Sequence, residues 1–379
     1  MVESLNNSPG ELGERGKFMK KYIFLLNLFL LFLFTSCGEQ EKIDNIQSEI
    51  PVEIKEKVNE NLEIDAIIGT RPVKKEYSIY DLKIKTSYDQ QTLQDLFFSG
   101  EEVTVLKEEA YGEVTMKTEH KTLHVGGYFQ FYTDYYINAL SVIEYMPLGD
   151  NRSRRTDFEG YPYAEELEGF SKESAVTRAE EVMEKLNIQF YETPVICTGV
   201  TVETFKAFAE EPAIQEYFAY YNLEMPQYGK EDEFYYMVYP FVIEDTVMFD
   251  NRYRSDKTNI SSLSDCGSYV VLCVGRDEIY QVATGLNYQT EEGNKSKPKK
   301  LIAFSKVIDS VTEYFDHYIL DDIITVKKID FAYLAVNIAS GKRQAVPVWI
   351  IYADDSEEIY QTKGTVLFVN ALTGELIYL

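Results

Sequence analysis

The sequence predicts an α+β protein of two or three modules, in which helices pack on antiparallel sheets. Many short segments alternate apolar and polar residues, which is typical of half-buried strands. Two longer segments, after Phe170 and after Phe304, repeat apolar residues with helical spacing. A hydrophobic content of 45% excludes a disordered chain. These observations indicate a folded body with a sizeable core.

The N-terminal segment 1–36 has the pattern of a secretory signal peptide. Lys20 and Lys21 follow Met19, and residues 22–34 are apolar apart from Asn27. A helix of that length covers about 20 Å, short of a hydrocarbon core of about 30 Å, so a cleaved signal is favoured over a membrane span. Because Met19 already begins a complete signal, we predict it to be the true start.

The end of this segment, Phe34-Thr35-Ser36-Cys37, resembles the bacterial lipobox. The resemblance implies that Cys37 becomes the first mature residue, carries diacylglycerol and anchors the protein to the outer face of the cytoplasmic membrane. Acyl chains attached in pairs give stable anchoring. The alternative is an ordinary secretory signal whose cysteine is incidental.

The charge of the chain restricts its partners. A net charge of −26 would be repelled by phosphate backbones, which excludes nucleic-acid binding. It also disfavours a body that lies flat on anionic lipid. Residues 37–61, rich in Glu, Lys and Asn after the cysteine, are predicted to form a solvated stalk.

The other cysteines are Cys197, Cys266 and Cys273. They allow one disulfide with one free thiol, or three free thiols. No CxxC or CxxH spacing occurs, so a zinc site of that type is not expected.

The block 62–168 is predicted to be mainly antiparallel sheet, and it ends in a charged connector at 152–168. Asp89 is placed to cap a short helix. Alternating segments predict strands at Leu62–Ala66, Tyr80–Ile84, Val103–Val105, Val114–Met116, Leu123–Val125 and Phe129–Phe131.

The block 169–290 begins with a helix that Ser171 caps and Asn187 ends. Strands are predicted at 191–202, 234–249 and 269–274, with helical spacing between the first two. The polar run 287–300 is predicted to be a loop or a domain boundary.

The block 301–379 repeats the order of a helix followed by strands. Ser305 is predicted to cap the helix, with Val307, Val311 and Phe315 facing inward. Residues 346–352 are apolar on both faces, which predicts a central strand. Gly374 lies in a turn that favours a positive φ.

Two features of the last block carry a resemblance. The order of helix and meander, and the ending Val369-Asn370-Ala371-Leu372-Thr373-Gly374-Glu375-Leu376, are similar to PepSY-type (cystatin-like) modules of Gram-positive exported proteins. Phe170-Ser171-Lys172 echoes Phe304-Ser305-Lys306, which extends the resemblance to the middle block. The whole chain looks like uncharacterised clostridial lipoproteins with such a C-terminal module.

Motifs that would carry catalysis are absent from the sequence. It contains no GxSxG, HExxH, P-loop or GxGxxG pattern, and we expect no enzyme activity and no cofactor. On a strand, His120 and His124 would share a face about 13 Å apart, too far for a shared metal ion.

Aromatic residues are abundant, with 30 tyrosines and 22 phenylalanines. Clusters around Tyr128, Tyr132, Tyr235 and Tyr236 are the candidate ligand-binding residues, because tyrosine combines a stiff apolar ring with a polar tip. Aromatic residues are also good strand formers, so the same clusters could serve the fold alone.

The leading hypothesis from the sequence is a membrane-tethered, non-enzymatic lipoprotein that binds or regulates a protein partner, as the PepSY resemblance implies. The alternative is a surface receptor for a solute or glycan that uses the aromatic clusters.

Overall fold

The computed structural model describes residues 50–108, 113–134, 162–194, 196–222, 224–225, 227–249, 269–285, 287–317, 323–339, 341–354 and 365–378. Residues Val52–Arg71 and Glu76–Leu379 form one compact unit, to which the following description refers. The signal peptide, Cys37 and Cys266 lie outside the described residues.

The described elements are five α-helices and twenty strands. The helices are α1 (Gln90–Phe97), α2 (Lys172–Lys185), α3 (Val202–Ala209), α4 (Pro212–Tyr220) and α5 (Phe304–Asp316). The first eight strands are β1 (Glu53–Lys57), β2 (Leu62–Ile68), β3 (Glu76–Tyr77), β4 (Tyr80–Ile84), β5 (Thr104–Glu108), β6 (Glu113–Lys117), β7 (Lys121–Val125) and β8 (Phe129–Thr133). The next six are β9 (Ile196–Val200), β10 (Phe234–Pro240), β11 (Val242–Ile243), β12 (Thr246–Val247), β13 (Tyr269–Gly275) and β14 (Ile279–Thr284). The last six are β15 (Tyr288–Lys295), β16 (Lys299–Lys300), β17 (Ile324–Ala339), β18 (Lys342–Asp354), β19 (Thr365–Asn370) and β20 (Leu376–Ile377).

Most strands belong to two eight-stranded sheets. Sheet I has the order β1-β2-β17-β18-β19-β20, and β4 pairs with both β18 and β15. Among the described strand pairs of sheet I, β2 and β17 are parallel and the others are antiparallel. Sheet II has the order β5-β6-β7-β8-β14-β13-β10-β9 and is antiparallel throughout. The predicted α+β class is confirmed at this level.

Sheet II is buried on both faces around β10 and β13. On one face α1 and α2 pack, where Phe97 stacks on Phe131 with ring centroids 4.3 Å apart. On the other face α3 and α4 cover a cluster of aromatic and aliphatic side chains. Its buried members include Phe205, Phe208, Ile214, Phe218, Phe234, Val238 and Val271. The all-apolar sequences of β10 and β13 follow from this two-sided burial.

Sheet I carries α5 on one face. Trp349 of β18 lies between Phe304 of α5 and Phe331 of β17, with ring centroids 4.9 and 5.1 Å from its own. The opposite face holds a second apolar cluster that Phe249 covers, and it contains Leu334. The central position predicted for residues 346–352 is therefore confirmed.

Several local predictions are also confirmed. Asp89 accepts a hydrogen bond from Thr92 N at 2.8 Å at the start of α1. Ser171 caps α2, and Asn187 follows the helix with a φ of 50°. Gly374 has a φ of 84°, as its turn requires.

Three expectations are wrong. Residues 53–57, assigned to the stalk, form β1, whose charged side chains suit an exposed sheet edge. Residues 288–295, assigned to a loop, form β15, because β4 supplies backbone partners that a polar sequence does not reveal. Ser305 does not cap α5, which begins at Phe304.

The strand pairing also crosses the predicted block boundaries. Strands β1, β2 and β4 of the first part join the C-terminal strands in sheet I, while β5 to β8 join the middle strands in sheet II. The division into modules at 62–168, 169–290 and 301–379 stays a prediction, and it does not describe how the strands are hydrogen-bonded.

In each half of the fold a helix nevertheless precedes four antiparallel strands that are neighbours in one sheet. In sheet II these are α2 and β9, β10, β13 and β14; in sheet I they are α5 and β17 to β20. The repeated order matches the repetition noted in the sequence.

Candidate functional site

A groove runs along the outer flank of α5, between this helix and the segment that leads into β20. We call it the α5 groove. It has a volume of about 740 Å³. It is lined by Lys306, Asp309, Ser310, Glu313, Tyr314, His317, Thr373, Gly374, Glu375, Leu376 and Tyr378.

The helical repeat places six side chains of α5 along this groove. Val307, Val311 and Phe315 are buried against the sheet. Residues 306, 309, 310, 313, 314 and 317 lie on the adjoining flank, because they follow i, i+3, i+4, i+7, i+8 and i+11 spacing. The flank from Lys306 to His317 is about 16 Å long, which matches about five residues of extended peptide.

The opposite wall is a turn that side chains hold in place. Asn370 Oδ1 accepts hydrogen bonds from Leu372 N at 2.9 Å and Thr373 N at 3.2 Å. Ser310 Oγ lies 2.8 Å from Gly374 O, which ties the turn to α5. Both walls of the groove are therefore fixed relative to each other.

The backbone of β20 offers hydrogen-bonding groups toward the open side of the sheet. Asn370 N donates to Glu375 O at 2.8 Å, so these two residues form a hydrogen-bonded pair. The next pair, Val369 with Leu376, is then a non-hydrogen-bonded pair. The N–H and C=O of Leu376 consequently point away from β19.

In sheet II, the position that corresponds to the far side of β20 is occupied by a strand. β14 is the fourth strand of its meander, and its far side pairs with β8. β20 is the fourth strand of the other meander, and within the described part of the chain no strand pairs with its far side. The α5 groove thus lies where sheet II carries an additional strand.

The groove is acidic and has an aromatic rim. Asp309, Glu313 and Glu375 contribute carboxylates, against the single ammonium group of Lys306. Tyr378 is 76% exposed at the rim. This combination suits an extended peptide with a basic side chain.

The four tyrosines singled out from the sequence do not form one site. Tyr235 is fully buried, donates to Phe170 O at 3.1 Å and accepts from Leu167 N at 2.7 Å. Tyr236 belongs to the opposite core of sheet II. Tyr128 is 43% exposed at the β7–β8 turn, and Tyr132 is half-buried in β8. Two of the four therefore serve the core.

The histidines of sheet II have separate partners. His124 lies between Thr115 Oγ1 at 2.9 Å and Tyr132 Oη at 3.1 Å. His120 lies 3.1 Å from Asp134 Oδ2. Among the residues that the structure describes, no group of three or more His, Cys, Asp or Glu side chains could hold a metal ion.

Comparisons with known proteins show a similar fold in another protein and do not indicate a function. No family model matches the chain, and no curated protein matches it. The crystal structure of an uncharacterized protein from Eubacterium rectale is similar, with a TM-score of 0.56 at 13% sequence identity, over 89% of this chain and 98% of that chain. The two share a fold. Within the described residues, no helix is long and apolar enough to span a membrane.

The sequence predicted which residues of α5 face the core. It did not predict that the adjoining flank of the helix lines a groove. The sequence did contain an indication of this flank. Polar residues recur at helical spacing beside the buried stripe, at Lys306, Asp309, Glu313 and His317. A polar stripe is the ordinary solvent face of a helix, however, and only the position of β20 distinguishes it from one.

Proposed function

We propose that this protein is an extracytoplasmic lipoprotein, anchored through Cys37, whose body binds an extended segment of a partner protein in the α5 groove. The proposal includes the PepSY-like assignment of the C-terminal helix and meander, and a binding or regulatory role without catalysis. The observation that carries it is the edge of β20 beside the flank of α5, with which no described strand pairs.

The mode of binding follows from that geometry. A peptide that adds as a strand to β20 would bond to the N–H and C=O of Leu376. Its side chains would alternate between the flank of α5 and solvent. The carboxylates of Asp309, Glu313 and Glu375 would favour a Lys or Arg in the bound segment, and salt would weaken that preference.

A displayed library of random peptides, selected against the mature chain, tests the proposal. Selected peptides should slow hydrogen exchange at the Leu376 amide. Leu376→Pro removes that N–H and should weaken their binding by about tenfold, the worth of one well-placed hydrogen bond. Leu376→Val, which keeps the N–H, is the matched control and should bind normally.

Two results would contradict strand addition. One is a selection that yields no peptide competing for the groove. The other is a set of binders whose affinity is the same for Leu376→Pro and Leu376→Val.

A second candidate function, a receptor for a solute or glycan, rests on one exposed aromatic pair. Tyr220 and Tyr221 at the end of α4 are 82% and 58% exposed. Their rings pack edge to face, with centroids 4.9 Å apart. Tyrosine pairs of this kind can stack on sugar rings. A glycan array whose signals vanish in Tyr220→Ala, with peptide selection negative, would favour this reading.

A further inference from the structure

The mature body is strongly acidic, yet one exposed strip of it is basic. Lys297, Lys299 and Lys300 are exposed on and beside β16. Lys295 is exposed at the end of β15, and half-buried Arg71 follows β2. We call these five residues the basic strip.

Few acidic groups neutralise the basic strip. Lys295 Nζ lies 3.3 Å from Glu244 Oε1, and exposed Glu76 is opposite Lys300 in the pairing of β3 with β16. Within the described part of the chain, Lys297, Lys299 and Lys300 take part in no ion pair, although the net charge of the whole chain is −26.

The N-terminal link enters the fold close to this strip. β1 runs antiparallel to β2, and Ile68 N donates to Val52 O at 2.9 Å. Val52 is the first residue of the compact unit, so the chain from the anchor arrives beside the end of β2. Arg71 lies three residues after Ile68.

A series of direct contacts leads from that point to β16. Thr70 Oγ1 donates to Phe331 O at 2.8 Å. The ring of Phe331 lies 4.9 Å from that of Tyr77, and Tyr77 pairs with Lys299 across the β3–β16 ladder. Thr70, Phe331 and Tyr77 therefore connect the entry of the link to β16 through direct contacts.

The link is long enough for β16 to reach the membrane. Residues 37–51 extend to at most about 50 Å. Screening confines electrostatic interactions to about 8 Å at physiological salt, so a basic strip can contact anionic lipid while acidic surfaces farther away are screened. Tethering also keeps the strip at a high effective concentration near the bilayer.

We propose that the basic strip rests on the anionic lipid headgroups of the membrane that holds the anchor, and so fixes the orientation of the tethered body. This inference rests on the anchoring in the proposed function. It replaces the expectation that the whole body stands off the membrane with a specific contact surface, and it is independent of peptide binding in the α5 groove.

Hydrogen exchange on tethered protein tests the contact. The mature chain is attached through an N-terminal polyhistidine tag to vesicles that contain nickel-chelating lipid, so the test does not depend on lipidation of Cys37. Residues 295–300 should exchange more slowly on phosphatidylglycerol vesicles than on phosphatidylcholine vesicles, and high salt should remove the difference.

Matched variants identify the residues responsible. Each lysine near an anionic surface contributes about fivefold to binding, so K297Q/K299Q/K300Q should lower the contact by about a hundredfold and abolish the protection. K185Q/K206Q/K342Q changes the net charge equally at exposed lysines elsewhere and should retain it.

Three results would overturn the proposal. They are equal exchange at 295–300 on both vesicles, protection that survives in K297Q/K299Q/K300Q, and equal protection on phosphatidylcholine vesicles after inorganic phosphate is added. The last result would indicate a phosphate site. Mass spectrometry of the cell-derived N-terminal peptide separately reports whether Cys37 carries lipid.

Discussion

Ser310 Oγ lies 2.8 Å from the carbonyl oxygen of Gly374 and 2.9 Å from that of Lys306. One hydroxyl thus joins the middle of α5 to the turn that precedes β20. Because this contact connects the two walls of the α5 groove, it decides how rigid the groove is.

Ser310→Ala should loosen the turn. The lost hydrogen bond is worth about 0.5–1.5 kcal/mol, and hydrogen exchange should accelerate at residues 374–376. Thr312→Ala is the control, because Thr312 Oγ1 bonds only within the helix, to Ile308 O at 2.9 Å. Equal acceleration in both variants would show that the link to Gly374 has no effect on the turn.

Gly69→Ala should destabilise the protein. A Cβ at Gly69 would lie 2.3 Å from Asp330 Oδ1, and that buried carboxylate already accepts from Thr70 N at 2.8 Å. We expect a loss of about 1–3 kcal/mol in the free energy of unfolding, measured by urea denaturation. At Gly127 a Cβ would meet nothing within 4 Å, so Gly127→Ala should change stability by less than about 0.5 kcal/mol. A neutral Gly69→Ala would contradict the close approach.

His124 should make the protein less stable in mild acid. Burial, and secondarily Lys117, lower the pKa of His124 below its ordinary value. The unfolded chain therefore takes up a proton first as the pH falls through about 6.5, and the contribution to stability, fully present above that pH, is lost below it. His124→Gln should reduce the difference in unfolding free energy between neutral and mildly acidic buffer.

His120 supplies the control for this pH dependence. Its hydrogen bond to Asp134 raises the pKa of the exposed imidazole, so its contribution has the opposite sign and is present at low pH. His120→Gln should not protect the protein from acid. If His124→Gln loses as much stability in mild acid as the parent protein, groups other than His124 dominate the pH dependence of stability.

Cys197 should react slowly with thiol reagents in the folded protein. Burial raises the pKa of the Cys197 thiol to about 11, which leaves little thiolate near neutral pH. Cys273 is buried and its Sγ lies 3.3 Å from Gln281 Oε1. Peptide mass spectrometry after alkylation should show both thiols protected until denaturant is added. Fast labelling of Cys197 in the native protein would contradict its burial.

Cys37→Ser should release the protein from the membrane fraction. The lipobox resemblance implies that Cys37 is the attachment point of the acyl chains, and serine provides no sulfur for the diacylglyceryl group. Ser36→Ala keeps a small residue before the cysteine and should leave the protein membrane-bound. Detergent phase partitioning measures both, and a membrane-bound Cys37→Ser would refute the anchor.

Much of the local structure was readable from the sequence. The caps at Asp89 and Ser171 and the positive φ at Gly374 depend on side chains and backbone within a few residues. Alternation predicted the four strands β5 to β8 of sheet II, because more buried and more exposed residues alternate along them.

The pairing of distant segments was not readable in the same way. The polar segment β15 forms a strand because β4 supplies its backbone hydrogen-bonding partners. β2 pairs in parallel with β17, which comes from the other end of the chain. Likewise, neighbours Tyr235 and Tyr236 point to opposite cores of sheet II, so a cluster in the sequence became two separate packing contacts.

By itself, the sequence determined the acidic character and the local caps and turns, and it predicts the signal and the anchor motif, since each is a property of adjacent residues or of composition. Only the tertiary structure placed β20 at a sheet edge beside α5 and β16 near the entry of the link. Those positions depend on contacts such as Thr70 with Asp330, which are 260 residues apart, and such contacts are set by the burial of the whole core.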